Sequence, residues 1–167
     1  MDIRIRPATD KDLPGIVEIF NQGIRTRMST GYLTPVTVAD RQAWFTHHSA
    51  QYPLLVAEHE RRIVGYVSLE LYRPGRAAFG RTTEASLFVH ENYRHQGIGS
   101  LLLTSALTTA QKAGFTTVLA IIFDTNTGSI TLLEKHGFTK WGFLPGVGEI
   151  DGTIVNHIYY GRHLTPL

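Results

Sequence analysis

Glu84-Ala85-Ser86-Leu87-Phe88-Val89-His90-Glu91-Asn92-Tyr93-Arg94-His95-Gln96-Gly97-Ile98-Gly99-Ser100-Leu101-Leu102-Leu103 runs from an apolar strand through a glycine-containing turn into an amphipathic helix. The turn from Arg94 to Gly99 delivers successive backbone N–H groups to the first turn of that helix, where no carbonyl four residues earlier can accept them. Aligned peptide dipoles add roughly half a positive charge at the same end, so a phosphate or pyrophosphate answers both the unpaired donors and the field. Gly97 and Gly99 are read as removing the Cβ atoms that would obstruct the anion.

Two named glycine motifs are excluded. No Gly-x-x-x-x-Gly-Lys-Ser/Thr occurs in the chain, and a dinucleotide fingerprint fails because Leu102 stands where the third small residue belongs. Without its flanks, the turn is equally a tight strand-to-helix connection that happens to use glycine.

Working outward, the N-terminal side begins with a strand in which Ile3 and Ile5 alternate with Arg4 and Arg6. A helix follows, capped by Asp10 or Asp12, with Pro14 in its first turn and a stripe of Leu13, Ile16, Val17, Phe20 and Ile24 facing the core. Thr37 with Asp40 forms a capping box that opens a second helix through Trp44 and Phe45, both read as core. Leu54 to Glu58 and Ile63 to Leu71 form a hairpin across His59-Glu60-Arg61-Arg62, and a strand from Thr82 to Val89 follows. On the C-terminal side a helix runs from Ile98 to Ala113, with Ile98, Leu101, Leu102, Ala106 and Ala110 on its apolar face and Gly114 behind it. Thr116 to Phe123 is continuously apolar and suits a strand covered on both faces. A short helix from Ser129 to His136, then strands near Phe138 to Leu144 and Thr153 to Tyr160, complete an α/β arrangement: a mixed, mainly antiparallel twisted sheet with helices on both faces.

Composition narrows the class. The chain has 167 residues, 43% of them hydrophobic, enough for one domain over 1–167 with a real core. No apolar run approaches the roughly 18 residues of a membrane span, and Asp-Ile-Arg-Ile-Arg at the start lacks a signal-peptide core, so a cytoplasmic protein without membrane association is expected. Zero cysteines exclude disulfides, thiolate metal sites and a cysteine nucleophile. The net charge is +2 and the pI about 9.0, but the 16 Lys and Arg are dispersed, with Arg61-Arg62 the only adjacent pair. A nucleic-acid stripe is not expected; an anionic cofactor fits as well. Eight histidines occur without His-Glu-x-x-His or a close ligand set, so no metal is expected.

Strand, Arg-x-x-Gly-x-Gly and helix together resemble the acetyl-CoA loop of the GNAT superfamily of N-acetyltransferases. Thr83 to Val89 is similar to that family's central strand, and Asp124-Thr125-Asn126-Thr127-Gly128-Ser129 and Leu132-Leu133-Glu134-Lys135-His136-Gly137-Phe138 follow in the expected order. The resemblance spans Ile3 to His163. Arg41-Gln42-Ala43-Trp44-Phe45, Tyr72-Arg73-Pro74 and the acidic Glu84 are most similar to the branch containing phosphinothricin and methionine sulfoximine acetyltransferases.

The resemblance implies an acetyl-CoA-dependent N-acetyltransferase of the GNAT acyl-CoA N-acyltransferase fold, acting on the primary amine of a small molecule such as an amino acid or phosphinothricin-like analogue. It implies that backbone groups of Leu87, Phe88 and Val89 pair with the pantetheine arm, with an N–H near Val89 directed at the thioester oxygen. Arg94, His95, Gln96, Gly97, Ile98, Gly99 and Ser100 would hold the pyrophosphate, and Asn126 would touch the cofactor arm; turn or cap duty is the other reading of Asn126. It also suggests a homodimer. Arg73, Pro74 and Gly75 are the substrate candidates, Arg73 as a carboxylate or phosphinate partner unless simply solvated.

Glu84 is the catalytic candidate. It begins an otherwise apolar strand, so burial should raise its proton affinity and make it a better base for an ammonium that must lose a proton before attacking a thioester. Pairing with Arg81 or Arg73 for structure alone is the competing role. Three departures from the branch stand out: Leu133 where the superfamily commonly has a tyrosine acid, leaving Tyr159, Tyr160 or water to protonate the thiolate; Ile154-Val155-Asn156 in place of Trp-x-Asp; and Leu33 in place of an acidic residue. A protein or peptide N-acetyltransferase, or a non-catalytic CoA-binding sensor, are the alternatives, and the loop from Arg25 to Pro35 separates a closed pocket from an open groove.

Overall fold

The structure is a computed structural model that describes residues 2–48 and 50–165. In chain order it comprises β1 (Arg4–Pro7), α1 (Leu13–Thr26), α2 (Val38–His47), β2 (Leu54–His59), β3 (Arg62–Leu71), β4 (Thr82–Val89), α3 (Ile98–Lys112), β5 (Thr117–Phe123), α4 (Thr127–Lys135), β6 (Thr139–Ile150) and β7 (Thr153–His163). The strands form one seven-stranded sheet in the order β1-β2-β3-β4-β5-β7-β6. Every neighbouring pair is antiparallel except β4 and β5. With α1 and α2 on one face and α3 and α4 on the other, this is the mixed sheet expected from the sequence.

Local signals explain most element boundaries. Thr37 accepts from the Asp40 N–H at 3.2 Å while Asp40 accepts from the Thr37 N–H at 2.7 Å, the reciprocal capping box that starts α2. The β2–β3 hairpin turns on Glu60 and Arg61, both at positive φ (47° and 64°), a geometry whose twist matches that of the strands. Asp12 departs from expectation. It occupies the position before α1 but makes no side-chain cap; its carboxylate instead binds Arg6 at 2.7 Å and the Thr9 N–H at 2.7 Å. Arg6 also reaches Glu58 at 2.6 Å, so this buried acid ties β1 and β2 to the entrance of α1.

Two expectations are corrected by packing. On α3, Leu101 is exposed, while Leu103 and Leu107 join Ile98, Leu102, Ala106 and Ala110 in the core. Three consecutive leucines leave the helix phase ambiguous, and the sheet selects the face. β6 does not stop at Leu144 but continues to Ile150, with register shifts at Lys140/Gly142 and Leu144/Gly148. Pro145 is tolerated because β6 is an edge strand and the chain bulges there.

The feature that positions the site lies between β4 and β5. They are in register only at Thr82↔Thr117, Thr83↔Val118 and Glu84↔Leu119. Beyond Glu84 they part, so the β5-facing edge of β4 from Ala85 to Val89 has no strand beside it among the described residues.

Candidate active site

Successive residues of β3 and β4 project to opposite faces. Toward α1 and α2 the register stacks three cross-strand pairs: Tyr66 on Phe88, Ser68 on Ser86, and Glu70 on Glu84. The first pair is aromatic and stacked, with ring centroids 5.3 Å apart. The last is a pair of carboxylates. Between this ladder, the α1–α2 loop and the β5 and β7 strands lies a cleft of about 410 Å³.

Glu84 lines the cleft at the point where β4 leaves β5. Burial raises its proton affinity above the ordinary carboxylate value of 4.5, and the charge of Glu70 raises it further. No ion pair joins Glu84 to Arg81 or Arg73 among the described residues. Glu70, which sequence reasoning missed, accepts from Trp44 Nε1 at 2.9 Å. Trp44, expected only in the core, both packs on the apolar layer and forms part of the cleft wall. His48 places Nε2 at 3.9 Å from the same Glu70 oxygen, and burial lowers its proton affinity. Its Nδ1 lies 2.9 Å from the Trp44 carbonyl, which can only accept, so Nδ1 carries the ring proton.

The structure separates the two tyrosines. Tyr159 lines the cleft; burial, Tyr72 and Glu84 all raise its proton affinity, so its hydroxyl stays protonated beside the base. Tyr160 faces the opposite layer, buried, with its hydroxyl donating to Glu134 at 2.9 Å. Leu133 is buried in that same layer.

Arg73, Pro74 and Gly75 sit on the exposed β3–β4 loop and do not form part of the cleft wall. Arg73 rests over the Tyr72 ring at 5.4 Å. Its charge nonetheless acts on Tyr159, which lines the cleft. Asn156 is likewise occupied: it accepts from the Gly146 N–H at 2.8 Å and donates to Asp124 at 2.8 Å, pinning the β6 bulge.

The α1–α2 loop supplies a wall. Ser29, Thr30, Gly31 and Tyr32 line the cleft, and Tyr32 packs edge-on against Phe20 at 5.1 Å. Arg27 fastens the loop by donating to the Leu33 carbonyl at 2.7 Å and pairing with Asp151 at 2.9 Å. Asn21 holds Val36 through two 2.9 Å bonds.

At the far end of β4, α3 begins without a side-chain cap. Leu101 N–H reaches the Gly97 carbonyl at 3.1 Å, and the N–H groups of Ile98, Gly99 and Ser100 have no acceptor among the described residues. The glycines serve different ends than simple clearance. Gly97 stands at φ 82°, a left-handed conformation, with open space around a Cβ; at Gly99 a Cβ would come within 3.2 Å of Leu132 on α4. The Ser100 hydroxyl lies 3.1 Å from His136 Nε2, a contact the sequence did not reveal. Arg94, His95 and Gln96 are exposed around this helix start. Asn126 caps α4, its Oδ1 accepting from the Ser129 N–H at 3.1 Å, and its amide Nδ2 is free for other duty. The described residues contain no cluster of three or more metal-ligating side chains.

An uncapped helix start at one end of an open-edged strand and a desolvated carboxylate at the other define a class of acyl-carrier-dependent transferases. Residues 21–138 match the acetyltransferase (GNAT) family, and the chain belongs to that family. The Bacillus subtilis protein YwnH is 40% identical over 162 residues, covering 96% of this chain and 99% of its own. An L-methionine sulfoximine/L-methionine sulfone acetyltransferase of Pseudomonas paraeruginosa is 34% identical over 168 residues, 99% of this chain and 97% of its own. Among solved structures, a GNAT superfamily phosphinothricin acetyltransferase from Sinorhizobium meliloti in complex with acetyl-CoA superposes with a TM-score of 0.91 at 27% identity, covering 98% and 89% of the two chains.

Proposed function

We propose that the chain is a single-domain, acetyl-CoA-dependent N-acetyltransferase for the primary amine of a small, amino-acid-like molecule. The observation that carries this is the position of Glu84: a desolvated carboxylate at the last shared pair of β4 and β5, inside a walled cleft.

The residues fit the acyl donor. The open edge of Leu87, Phe88 and Val89 suits the amide-bearing pantetheine arm, and the unpaired N–H groups of Ile98, Gly99 and Ser100 suit its pyrophosphate, with Arg94, His95 and Gln96 around it. When bound, acetyl-CoA supplies an activated thioester. Glu84 takes a proton from the acceptor ammonium, directly or through a water, and frees the nitrogen lone pair. The nitrogen bonds to the carbonyl carbon, a backbone N–H near Val89 steadies the charge on its oxygen, and the carbon–sulfur bond breaks. Tyr159, held protonated in the cleft, gives its proton to the departing sulfur and regains one from the nitrogen, which sheds its second proton as the amide forms. The wall made by Ser29 to Tyr32 supports a small acceptor rather than an extended peptide.

The test is a panel of amines and amino acids with acetyl-CoA, reading free CoA. Release with at least one amino-acid-like amine is expected; coenzyme binding without release on any member of the panel would replace the enzyme by a sensor module.

A cytoplasmic homodimer accompanies this reading. The dimer is supported by edge strand β6 and its hairpin, which expose Trp141, Phe143, Val147 and Ile154 together. Phe143→Lys with Val147→Glu should convert the protein to monomer in analytical ultracentrifugation, and a monomeric wild type would refute the assembly.

A further inference from the structure

Arg41 is a buried cation that makes no ion pair among the described residues. Only 9% of the residue is exposed. Its guanidinium carbon lies 3.8 Å from the Trp44 ring centroid and 4.4 Å from that of Phe20, so the flat group is held against two aromatic faces. Such contacts orient a guanidinium but satisfy none of its N–H donors. No ion pair or hydrogen bond engages Arg41 among the described residues, and its Nε is buried with no acceptor.

A second unpartnered group lies beside it. Tyr66, 1% exposed on β3, has a buried hydroxyl with no hydrogen-bond partner; burial raises its proton affinity, and the charges of Arg41 and Glu70 act on it in opposite senses. Both residues line the cleft that holds Glu84 and Glu70. Leaving a buried cation and a buried hydroxyl unpaired is strongly unfavourable unless a ligand completes them. The cleft therefore presents unpaired N–H and O–H donors as well as carboxylates, with Trp44 between Arg41 and Glu70.

We infer that Arg41 and the Tyr66 hydroxyl form the subsite for an oxyanion on the acceptor, and that Arg41 is the residue selecting amines that carry one. This rests on the acetyl-transfer reading above and deepens it. The guanidinium fork meets a carboxylate, or a phosphinate or sulfonate of like shape, while the ammonium of the same molecule faces Glu84. Arg73, outside the cleft wall but with its charge felt at Tyr159, is the rival cation that the experiment separates from Arg41.

The experiment measures binding rather than turnover. Glycine, alanine and methionine sulfone, each beside its uncharged carboxamide, are titrated by calorimetry into protein saturated with CoA. At least one acid should bind about 30-fold more tightly than its amide, the scale of charge-assisted hydrogen bonds in a buried site. Arg41→Met should reduce that ratio to about threefold or less, while Arg73→Met keeps it. Arg41→Lys retains the charge and the stem between the rings, so it serves if Arg41→Met does not fold; it should lie between the two, having lost the fork. Amides that match their acids throughout in the wild type, or an Arg41→Met protein that keeps the full ratio, would overturn the subsite. Failure of the acetyl-transfer reading looks different: the acid binds, yet acetyl-CoA releases no CoA.

Discussion

The two faces of strands β3 and β4 do opposite work with alternate residues of the same sequence. Toward α3, Val64, Val67 and Leu69 meet Leu102, Leu103 and Ala106 in an apolar layer, where the buried Tyr160 hydroxyl is satisfied by Glu134. Toward α1 and α2, the ladder passes from Tyr66 and Phe88 through two serines to Glu70 and Glu84, and ends in an open cleft. One face is closed and repays its burial at once; the other holds a half-buried Glu70, the more desolvated Glu84, and a buried guanidinium and hydroxyl with few partners. A register slip of one residue would exchange them, so the period-two pattern encodes the core and the chemistry together.

Three substitutions test that contrast. Glu84→Gln should lower kcat/KM by about a thousandfold, the scale of a lost general base, while CoA affinity and the unfolding midpoint hold. Leu102→Ala on the dry face should do the reverse, removing about 3 kcal/mol of stability in urea unfolding. A collapse in stability for the glutamate variant would erase the division of labour between faces.

Glu70→Gln sharpens it further. On the proposed reading Glu84 acts deprotonated, so kcat/KM should fall as pH drops through its raised value. Removing the Glu70 charge takes away the second cause of that elevation and leaves burial, the larger one. The acid limb of the profile should therefore move to lower pH, without returning to that of an exposed carboxylate. Glutamine still accepts from Trp44, so an unmoved limb would mean that the carboxylates do not sense each other.

What was legible in the sequence was local. The strand–turn–helix unit, the Thr37–Asp40 box, the hairpin and the glycines behind α3 and α4 each follow from residues within about one turn of one another. Glu84 was legible because a lone acid in an apolar strand is conspicuous. Arg41 and Glu70 were not, since one lies in an ordinary helical motif and the other alternates normally in a strand. Only the packing of α2 on β3 gathers them around one space. Leu101 was misjudged for the same reason: helical spacing gives a stripe, while the sheet decides which stripe is buried.

The parting of β4 from β5 has a thermodynamic consequence. A sheet left with an open seam gains nothing there until something else supplies the missing amides. On the proposed reading that supply is the coenzyme arm, which the unfolded chain cannot accept. Occupancy and fold stability then become one linked equilibrium, and protein held at a hundred times the dissociation constant should resist unfolding by about 2.7 kcal/mol more than empty protein.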